Sequence, residues 1–201
     1  MKRIFIINGH PNPGTLCSDL AGAYAEGART SGAEVRTIHI RDLPLEKYLR
    51  YAYYERTPVS KEIQAVRDEI SWAEHIVFVY PNWWSSFPGI MKLFIDIVFV
   101  AGFAFKYREG KATPEQLLKG RTASILLTMD IPPLIYKYVF GNIGVRQLKA
   151  RVLRFNCGIK TTHVSYFGPV RTANKVTRKQ YLKKHFISGR NTHRRSVRHL
   201  R

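Results

Sequence analysis

Cysteine is scarce in this 201-residue chain, which has only Cys17 and Cys157. Neither lies in a CxxC or a Cys/His spacing, so the sequence predicts neither a metal site nor a disulfide framework. We expect a cytoplasmic protein, since this usage fits a reducing compartment. A composition that is 45% hydrophobic and 23% charged is typical of a globular chain with a hydrophobic core.

Long apolar runs are also missing. The longest, at residues 93–105, is interrupted by Asp96 and Gly102 and is shorter than the ~20 residues that a membrane-spanning helix needs. The run from Ile4 to Ile7 is too short for the core of a signal peptide. We therefore expect neither a membrane span nor a secretory signal.

Acidic residues are absent after Asp130. Residues 131–201 carry 17 Lys and Arg and no Asp or Glu, whereas the charges of residues 1–130 nearly balance. Such a surface attracts phosphates, nucleic acids or anionic lipids, and the attraction weakens with salt. The alternative interpretation is a solvated basic face that only aids solubility.

Apolar, β-branched runs alternate with segments of helical period, which predicts repeated βα units around a parallel sheet. Strands are predicted at residues 3–8, 34–40, 75–80, 122–128 and 161–167. Helices are predicted within residues 19–30, 60–73, 88–101, 142–155 and 174–186. Two segments, 43–58 and 103–120, are interpreted as long loops or lids. The predicted domain spans residues 1–188, and residues 189–201 are expected to form a disordered basic tail.

Three unusual loops follow the first, third and fourth predicted strands, whose carboxyl ends should form the ligand crevice of an open parallel sheet. The first loop, residues 9–18, is rich in turn formers and has hydroxyls just before a helix. Free N–H groups and the positive end of the helix dipole favour a phosphate there. A plain helix N-cap by Ser18 would also explain the hydroxyls.

The second loop carries two adjacent tryptophans, Trp83 and Trp84, between Pro81 and Pro88. Consecutive residues cannot both face one interior, so a planar ligand explains the pair better than core packing does. An isoalloxazine ring suits such a stacking surface, and nearby backbone N–H groups can bond its carbonyls and N5.

The third loop places Thr128 and Asp130 at a strand end, followed by Pro132 and Pro133. The prolines prevent an immediate helix and predict a rigid loop in the crevice. A helix N-cap by Asp130 is the alternative interpretation.

Three motifs resemble the NAD(P)H:quinone reductase family of flavodoxin-like flavoproteins, also called the modulator-of-drug-activity or ancillary-potassium-efflux group. They are residues 9–15 (GHPNPGT), the longer signature at 81–105 that begins PNWWSSFPG, and residues 155–160 (FNCGIK). The resemblance covers most of residues 3–168. It implies a flavodoxin-like α/β fold, with a five-stranded parallel sheet in 2-1-3-4-5 order and helices on both faces.

The resemblance also implies a homodimer with non-covalent FMN or FAD, which passes two electrons from NADH or NADPH to a quinone or similar small acceptor. Tyr136 would donate a hydrogen bond to the flavin or the acceptor. Residues 128–131 read TMDI where the family often has Thr-Thr-Gly-Gly, so a carboxylate replaces a glycine-lined approach. The flavin phosphate would contact His10, Thr15, Leu16, Cys17 and Ser18, and the ring would contact Pro81, Asn82, Trp83, Trp84, Ser85, Thr128, Met129, Asp130 and Ile131.

A regulatory module is the alternative function. It would dock on a membrane transport protein or another anionic membrane surface through the basic residues 131–201. Nucleic-acid binding is not expected, because no recognised motif is present and most aromatic residues of this region fall within predicted helices and strands.

Overall fold

A computed structural model of the chain describes residues 1–45 and 59–197. The strands are β1 (Arg3–Asn8), β2 (Glu34–His39), β3 (His75–Pro81), β4 (Phe105–Lys106), β5 (Glu115–Gln116), β6 (Thr122–Thr128) and β7 (Lys160–Phe167). Five of them form one parallel sheet in the order β2-β1-β3-β6-β7. With the two short strands set aside, this is the predicted 2-1-3-4-5 order, which is confirmed.

Helices follow the strands of this sheet. They are α1 (Leu16–Arg29), α2 (Lys61–Trp72), α3 (Gly89–Val98), α4 (Ile143–Arg146) and α5 (Lys175–Val197). A 3₁₀ turn occupies Ile40–Asp42, and π-helical turns occupy Ile135–Val139 and Gln147–Cys157, the second continuing directly from α4. Within the described residues, no helix combines the length and the apolarity needed to cross a bilayer.

The helices cover both faces of the sheet, as the continuous apolar strands predict. Along β3, Ile76 and Phe78 pack into the core beneath α2 and α3, whereas Val77 and Val79 pack into the core beneath α1. All four side chains are fully buried. Alternating side chains of a strand point to opposite faces, so one strand supplies both layers.

The predicted loop at residues 103–120 contains more structure than expected, because β4 and β5 form a short antiparallel ladder inside it. The N–H of Leu117 donates to the carbonyl of Ala104 at 3.1 Å, and the N–H of Leu118 donates to that of Cys157 at 3.2 Å. Buried Leu118 anchors the segment to the main core. The other predicted loop, 43–58, lies mostly outside the described residues.

The prediction of a disordered tail from residue 189 is wrong for residues 189–197, which continue α5. Gly189 is buried, and a Cβ there would overlap the carbonyl oxygen of Tyr24 on α1. One turn further on, the Thr192 hydroxyl lies 2.6 Å from the Tyr24 hydroxyl. Gly189 therefore permits close helix packing and does not end the helix.

Candidate functional site

The carboxyl ends of β1, β3 and β6 border a cavity of about 450 Å³. All three predicted loops contribute to its wall. Phe140 and Val170 also line it and were not predicted, whereas Ser18 and Tyr136 were predicted and do not line it. The predicted residues that do line the cavity are His10, Thr15, Leu16, Cys17, Pro81, Asn82, Trp83, Trp84, Ser85, Thr128, Met129, Asp130 and Ile131.

The first loop presents the amino terminus of α1 to the cavity. Thr15 is the N-cap residue, and its side chain makes no capping hydrogen bond. The first N–H groups of an α-helix have no intrahelical acceptor, so they remain available to a ligand. The Ser18 hydroxyl instead accepts a hydrogen bond from the Asn8 amide at 3.1 Å, so the interpretation of Ser18 as the N-cap is wrong.

His10 has a defined hydrogen-bonding state. The N–H of Asn12 donates to His10 Nδ1 at 3.0 Å, which leaves the proton of the neutral ring on Nε2. Partial burial, and to a smaller extent the charge of Arg41, lower the pKa of His10 below its ordinary value. The ring contacts Trp83 edge-on, with 6.4 Å between centroids. His10 is therefore a neutral N–H donor in the cavity wall at neutral pH.

Cys17 links the first loop to the third. Its Sγ lies 3.3 Å from the Thr128 hydroxyl, and burial raises the pKa of Cys17 to about 12. A protonated, buried thiol is not a nucleophile. Cys17 therefore connects the two loops and forms part of the cavity wall. It does not act as a nucleophile.

The two tryptophans lie on a tight turn. The N–H of Trp83 donates to the Ser86 carbonyl at 3.1 Å, and the N–H of Ser86 donates back at 2.9 Å. The central residues Trp84 and Ser85 have φ values of 53° and 59°, as in a type I′ turn, where Asn and Gly are usual. Left-handed φ on such residues costs on the order of 1–3 kcal/mol and clusters at functional sites.

The strained turn places aromatic surface at the cavity. Trp84 is 100% exposed and Trp83 is 45% exposed, and both line the cavity. Core packing is therefore excluded for Trp84. A fully exposed tryptophan on a strained backbone is typical of a surface that contacts a ligand or a partner.

Two hydrogen bonds to the Ser85 carbonyl hold the turn in place. The N–H of Gly144 and the hydroxyl of Tyr136 both donate to the Ser85 carbonyl, at 2.9 Å and 3.3 Å. A Cβ on Gly144 would come within 2.7 Å of the Ser86 backbone, so this approach requires glycine. Tyr136 is fully buried. In this arrangement Tyr136 positions the turn, and its single hydroxyl proton is engaged with the backbone.

The third loop is fixed by the chain that follows β7. The N–H of Met129 donates to the Phe167 carbonyl at 2.8 Å, and the N–H of Val170 donates to the Met129 carbonyl at 2.9 Å. Asp130 accepts the N–H of Arg171 at 3.0 Å, so its interpretation as a helix N-cap is wrong. These bonds bring Val170 into the cavity wall. The Gly-Pro pair directly after the last predicted strand was the available signal for this loop.

Asn82 carries an unused acceptor. Its Oδ1 is buried and has no hydrogen-bond partner among the residues that the structure describes, although its backbone N–H donates to the Thr128 carbonyl at 2.7 Å. Buried polar atoms are nearly always paired, so an unpaired one in a cavity wall indicates a ligand donor. The cavity thus combines an anion-binding helix end, aromatic surface and an open acceptor.

Parts of the chain are similar to curated proteins. It is 30% identical over 121 residues to a Haemophilus influenzae protein named an uncharacterized NAD(P)H oxidoreductase, a match that covers 60% of this chain and 59% of that protein. It is 29% identical over 127 residues to the FMN-dependent NADH:quinone oxidoreductase of Macrococcus caseolyticus, covering 53% and 60%. The chain therefore spans about 60% of the length of these two relatives.

Solved structures share the fold over nearly the whole chain. The NAD(P)H:quinone oxidoreductase from Methanothermobacter marburgensis has a TM-score of 0.76 at 21% identity, covering 96% of this chain and 97% of that one. The FMN-dependent NADH-azoreductase from Bacillus anthracis, solved in complex with FMN, has a TM-score of 0.71 at 19% identity, covering 96% and 99%.

The family model described as having a flavodoxin-like fold matches residues 2–186. This range contains the whole five-stranded sheet and every residue that lines the cavity. The chain therefore belongs to the flavodoxin-like fold family.

Proposed function

We propose that this protein is a flavin-dependent oxidoreductase that passes two electrons from NADH or NADPH, through a bound flavin, to a quinone or a similar small acceptor. The observation that carries the proposal is the cavity itself, which has an anion-binding helix end on one side and exposed tryptophans on the other. The names of the relatives from H. influenzae and M. caseolyticus support the same reaction class.

FMN is the flavin that we propose, with FAD as the alternative. The relative from M. caseolyticus is named FMN-dependent, and the B. anthracis structure holds FMN. A cavity of about 450 Å³ falls within the usual size range of small-molecule sites. The mass of the flavin released from the purified protein distinguishes the two.

The residues of the cavity fit both ends of this cofactor. The first-turn N–H groups of α1 and the Thr15 hydroxyl would hold the phosphate, which the helix dipole also favours. Trp83 and Trp84 would stack against the ring, and buried Asn82 Oδ1 would accept from a ring N–H. The bound flavin supplies the hydride chemistry, while the protein orients the reactants and keeps water out.

We further propose that two copies associate beside the cavity. A group of exposed apolar side chains lies next to the cavity: Leu134, Ile135, Tyr138, Val139, Phe140 and Ile143. Tyr138 is 76% exposed. Exposed apolar clusters of this kind mark interaction surfaces. Analytical sedimentation tests the proposed dimer. Tyr138→Glu should yield a monomer, whereas Tyr107→Glu, which changes an equally exposed tyrosine elsewhere, should leave the dimer intact. A monomeric parent chain would contradict the proposal.

We propose a cytoplasmic location, because Cys17 and Cys157 are both free, buried thiols, as is usual where thiols stay reduced. The alternative function, a regulatory module on an anionic surface, rests on the exposed basic residues of α5, such as Lys179, Lys183 and Arg190. Catalytic turnover by the isolated protein distinguishes the two functions.

Turnover is the direct test of the reaction. The FMN-loaded protein should oxidise NADH or NADPH in the presence of a soluble quinone or an azo dye, at a rate that depends on the acceptor. Asn82→Leu, which removes the open acceptor, should weaken FMN binding by roughly tenfold, the usual effect of one buried hydrogen bond of about 1.5 kcal/mol. Lys175→Gln on α5 serves as a control and should leave binding unchanged. Flavin-loaded protein that oxidises neither nicotinamide with any acceptor would contradict the proposal.

A further inference from the structure

A second cavity, of about 500 Å³, lies at the amino end of β7. This is the amino edge of the sheet, opposite the carboxyl edge that borders the cavity proposed for the flavin, here called the flavin cavity. Lys160 and Thr161, the first residues of β7, form part of the wall of the second cavity. In the ladder between β6 and β7, Thr122 pairs with Lys160 at this edge, and Thr128 pairs with Phe167 at the other. Six residue steps of ~3.3 Å put the two edges ~20 Å apart. The second cavity is therefore a separate site.

The wall of the second cavity carries three positive charges and no negative one. They belong to Lys149 and Arg154 of the long π-helical segment and to Lys160. Within residues 1–45 and 59–197, none of these three side chains forms an ion pair or a hydrogen bond. Like charges around one cavity repel each other, and a bound anion would relieve that repulsion.

The nearby backbone carbonyls accept hydrogen bonds from other groups, and in the described part of the chain none is bonded to these three cations. The carbonyls at a helix end are common partners of basic side chains. Here the Gln116 side-chain amide donates to the carbonyls of Arg154 and Phe155, both at 2.8 Å. The N–H groups of Gly158 and Leu118 donate to the carbonyls of Arg154 and Cys157. The three cations are therefore left for solvent or a ligand.

The Thr161 hydroxyl adds a hydrogen-bond donor to the wall. Its Oγ1 is buried without a partner among the described residues. By contrast, the hydroxyl of the next residue, Thr162, donates to the Ala123 carbonyl at 3.2 Å. Since buried hydroxyls are normally paired, the unpaired one indicates a ligand acceptor.

We propose that this cavity binds the phosphate group of a phosphate monoester. A phosphate dianion matches a guanidinium in two-point geometry and accepts from ammonium and hydroxyl groups at its remaining oxygens. A volume of about 500 Å³ leaves room for the organic group that the phosphate carries. The field of the basic residues 131–201 guides such anions towards the site. The ester is either a free small molecule or the headgroup of a lipid.

Glycerol phosphate is a suitable probe, because it represents both sources. We expect it to shift the backbone amide resonances of residues 158–161 in the isotope-labelled full chain, whereas glycerol does not. Arg154→Gln should weaken the affinity at least about tenfold, as expected for charge-assisted hydrogen bonds. Arg178→Gln removes the same charge from α5, outside the cavity wall, and should change the affinity less than about twofold, because only a screened long-range attraction is lost.

Three results would overturn the proposal: shifts confined to residues 9–18, which would mean that phosphate binds only at the flavin cavity; equal weakening by both arginine variants; or no binding. Thr161→Val provides a second variant, which should weaken the affinity without changing the melting temperature. Vesicles of phosphatidylcholine with phosphatidic acid identify the source. Vesicle binding that requires Arg154 supports a lipid headgroup, and probe binding without vesicle binding supports a free ester.

Discussion

Buried polar groups at the amino ends of β3 and β6 are paired with one another, whereas one buried polar atom directly after β3 is not. At the amino edge between β3 and β6, both ring nitrogens of buried His75 have partners, the hydroxyls of Thr122 at 2.7 Å and Ser124 at 3.0 Å. Tyr24 joins this network through its hydroxyl, 3.3 Å from His75. At the carboxyl edge, Asn82 Oδ1 has no partner in the described part of the chain. The paired groups at the amino ends of β3 and β6 thus stabilise the fold, while Asn82, directly after β3, retains bonding capacity for a ligand.

The backbone shows the same contrast. β3 and β6 pair in register from His75 and Thr122 onward, whereas the turn that follows β3 holds Trp84 and Ser85 in left-handed conformations. Such strain persists only where surrounding contacts fix it, and here Gly144 and Tyr136 do so. The difference predicts that variants at the two edges affect different measurements.

The largest expected effect is on flavin binding. The double variant Trp83→Ala/Trp84→Ala should weaken FMN affinity on the order of 100-fold, since stacking contributes about 1–3 kcal/mol for each aromatic contact. Because Trp84 is fully exposed, Trp84→Ala alone should leave the free energy of unfolding unchanged. Flavin fluorescence titration and urea unfolding measure the two quantities. Unchanged FMN affinity in the double variant would contradict the proposal that the flavin binds at the carboxyl ends of the strands.

The next effect is on pH-dependent stability. Burial, the main cause, lowers the pKa of His75 to about 3 from its ordinary 6.5. The unfolded chain gains this proton below pH ~6.5 and the folded chain does not, so stability is fully present above that pH and falls as the pH drops towards 3. The slope is up to ~1.4 kcal/mol per pH unit.

His75→Gln should reduce this slope in urea unfolding at a series of pH values, while FMN affinity at neutral pH stays the same. Burial also lowers the pKa of His185 to about 3. His185→Gln should therefore reduce the slope in the same direction. An unaltered slope in both variants would show that the buried histidines do not control acid stability.

A third effect concerns the packing of α5 on α1, which brings Thr192 to Tyr24. A Cβ at Gly27 would overlap the carbonyl oxygen of Phe186, so Gly27→Ala should lower the free energy of unfolding by about 1–3 kcal/mol. Gly22 lies in the same helix with open space around it, so Gly22→Ala should raise stability by up to about 1 kcal/mol. Equal effects of the two substitutions would contradict the close packing.

The smallest effect is expected for Tyr136→Phe. The variant loses one hydrogen bond to the Ser85 carbonyl, which corresponds to about 1 kcal/mol of stability. If Tyr136 only positions the turn, the pH profile of turnover should match that of the parent protein. A changed profile would show instead that the hydroxyl takes part in proton transfer.

Much of the fold could be predicted from local pattern. The ranges predicted for β1 and β6 match the structure, because buried runs of β-branched residues bounded by polar ones define such strands. The course of α5 could not be predicted in this way. Gly189 looks like a helix stop in sequence, and only the close approach to Tyr24 explains it.

The residues of the candidate site also differ in how far the sequence predicts them. The positions of the cavity residues in the three loops could be predicted, because these loops follow the carboxyl ends of strands that are neighbours in the sheet. Val170 and Phe140 could not, since they reach the cavity only through tertiary contacts such as the hydrogen bond to the Met129 carbonyl. Tyr136 was predicted to donate to the flavin or the acceptor, but in the structure it donates to the Ser85 carbonyl, because the sequence does not show the direction of its hydroxyl.

Flavin binding itself is tested by the visible spectrum of the purified protein, together with mass identification of any cofactor that denaturation releases. We expect a yellow protein, or one that becomes yellow when it is loaded with flavin, and we expect it to release FMN. A colourless protein that takes up neither FMN nor FAD would contradict flavin binding.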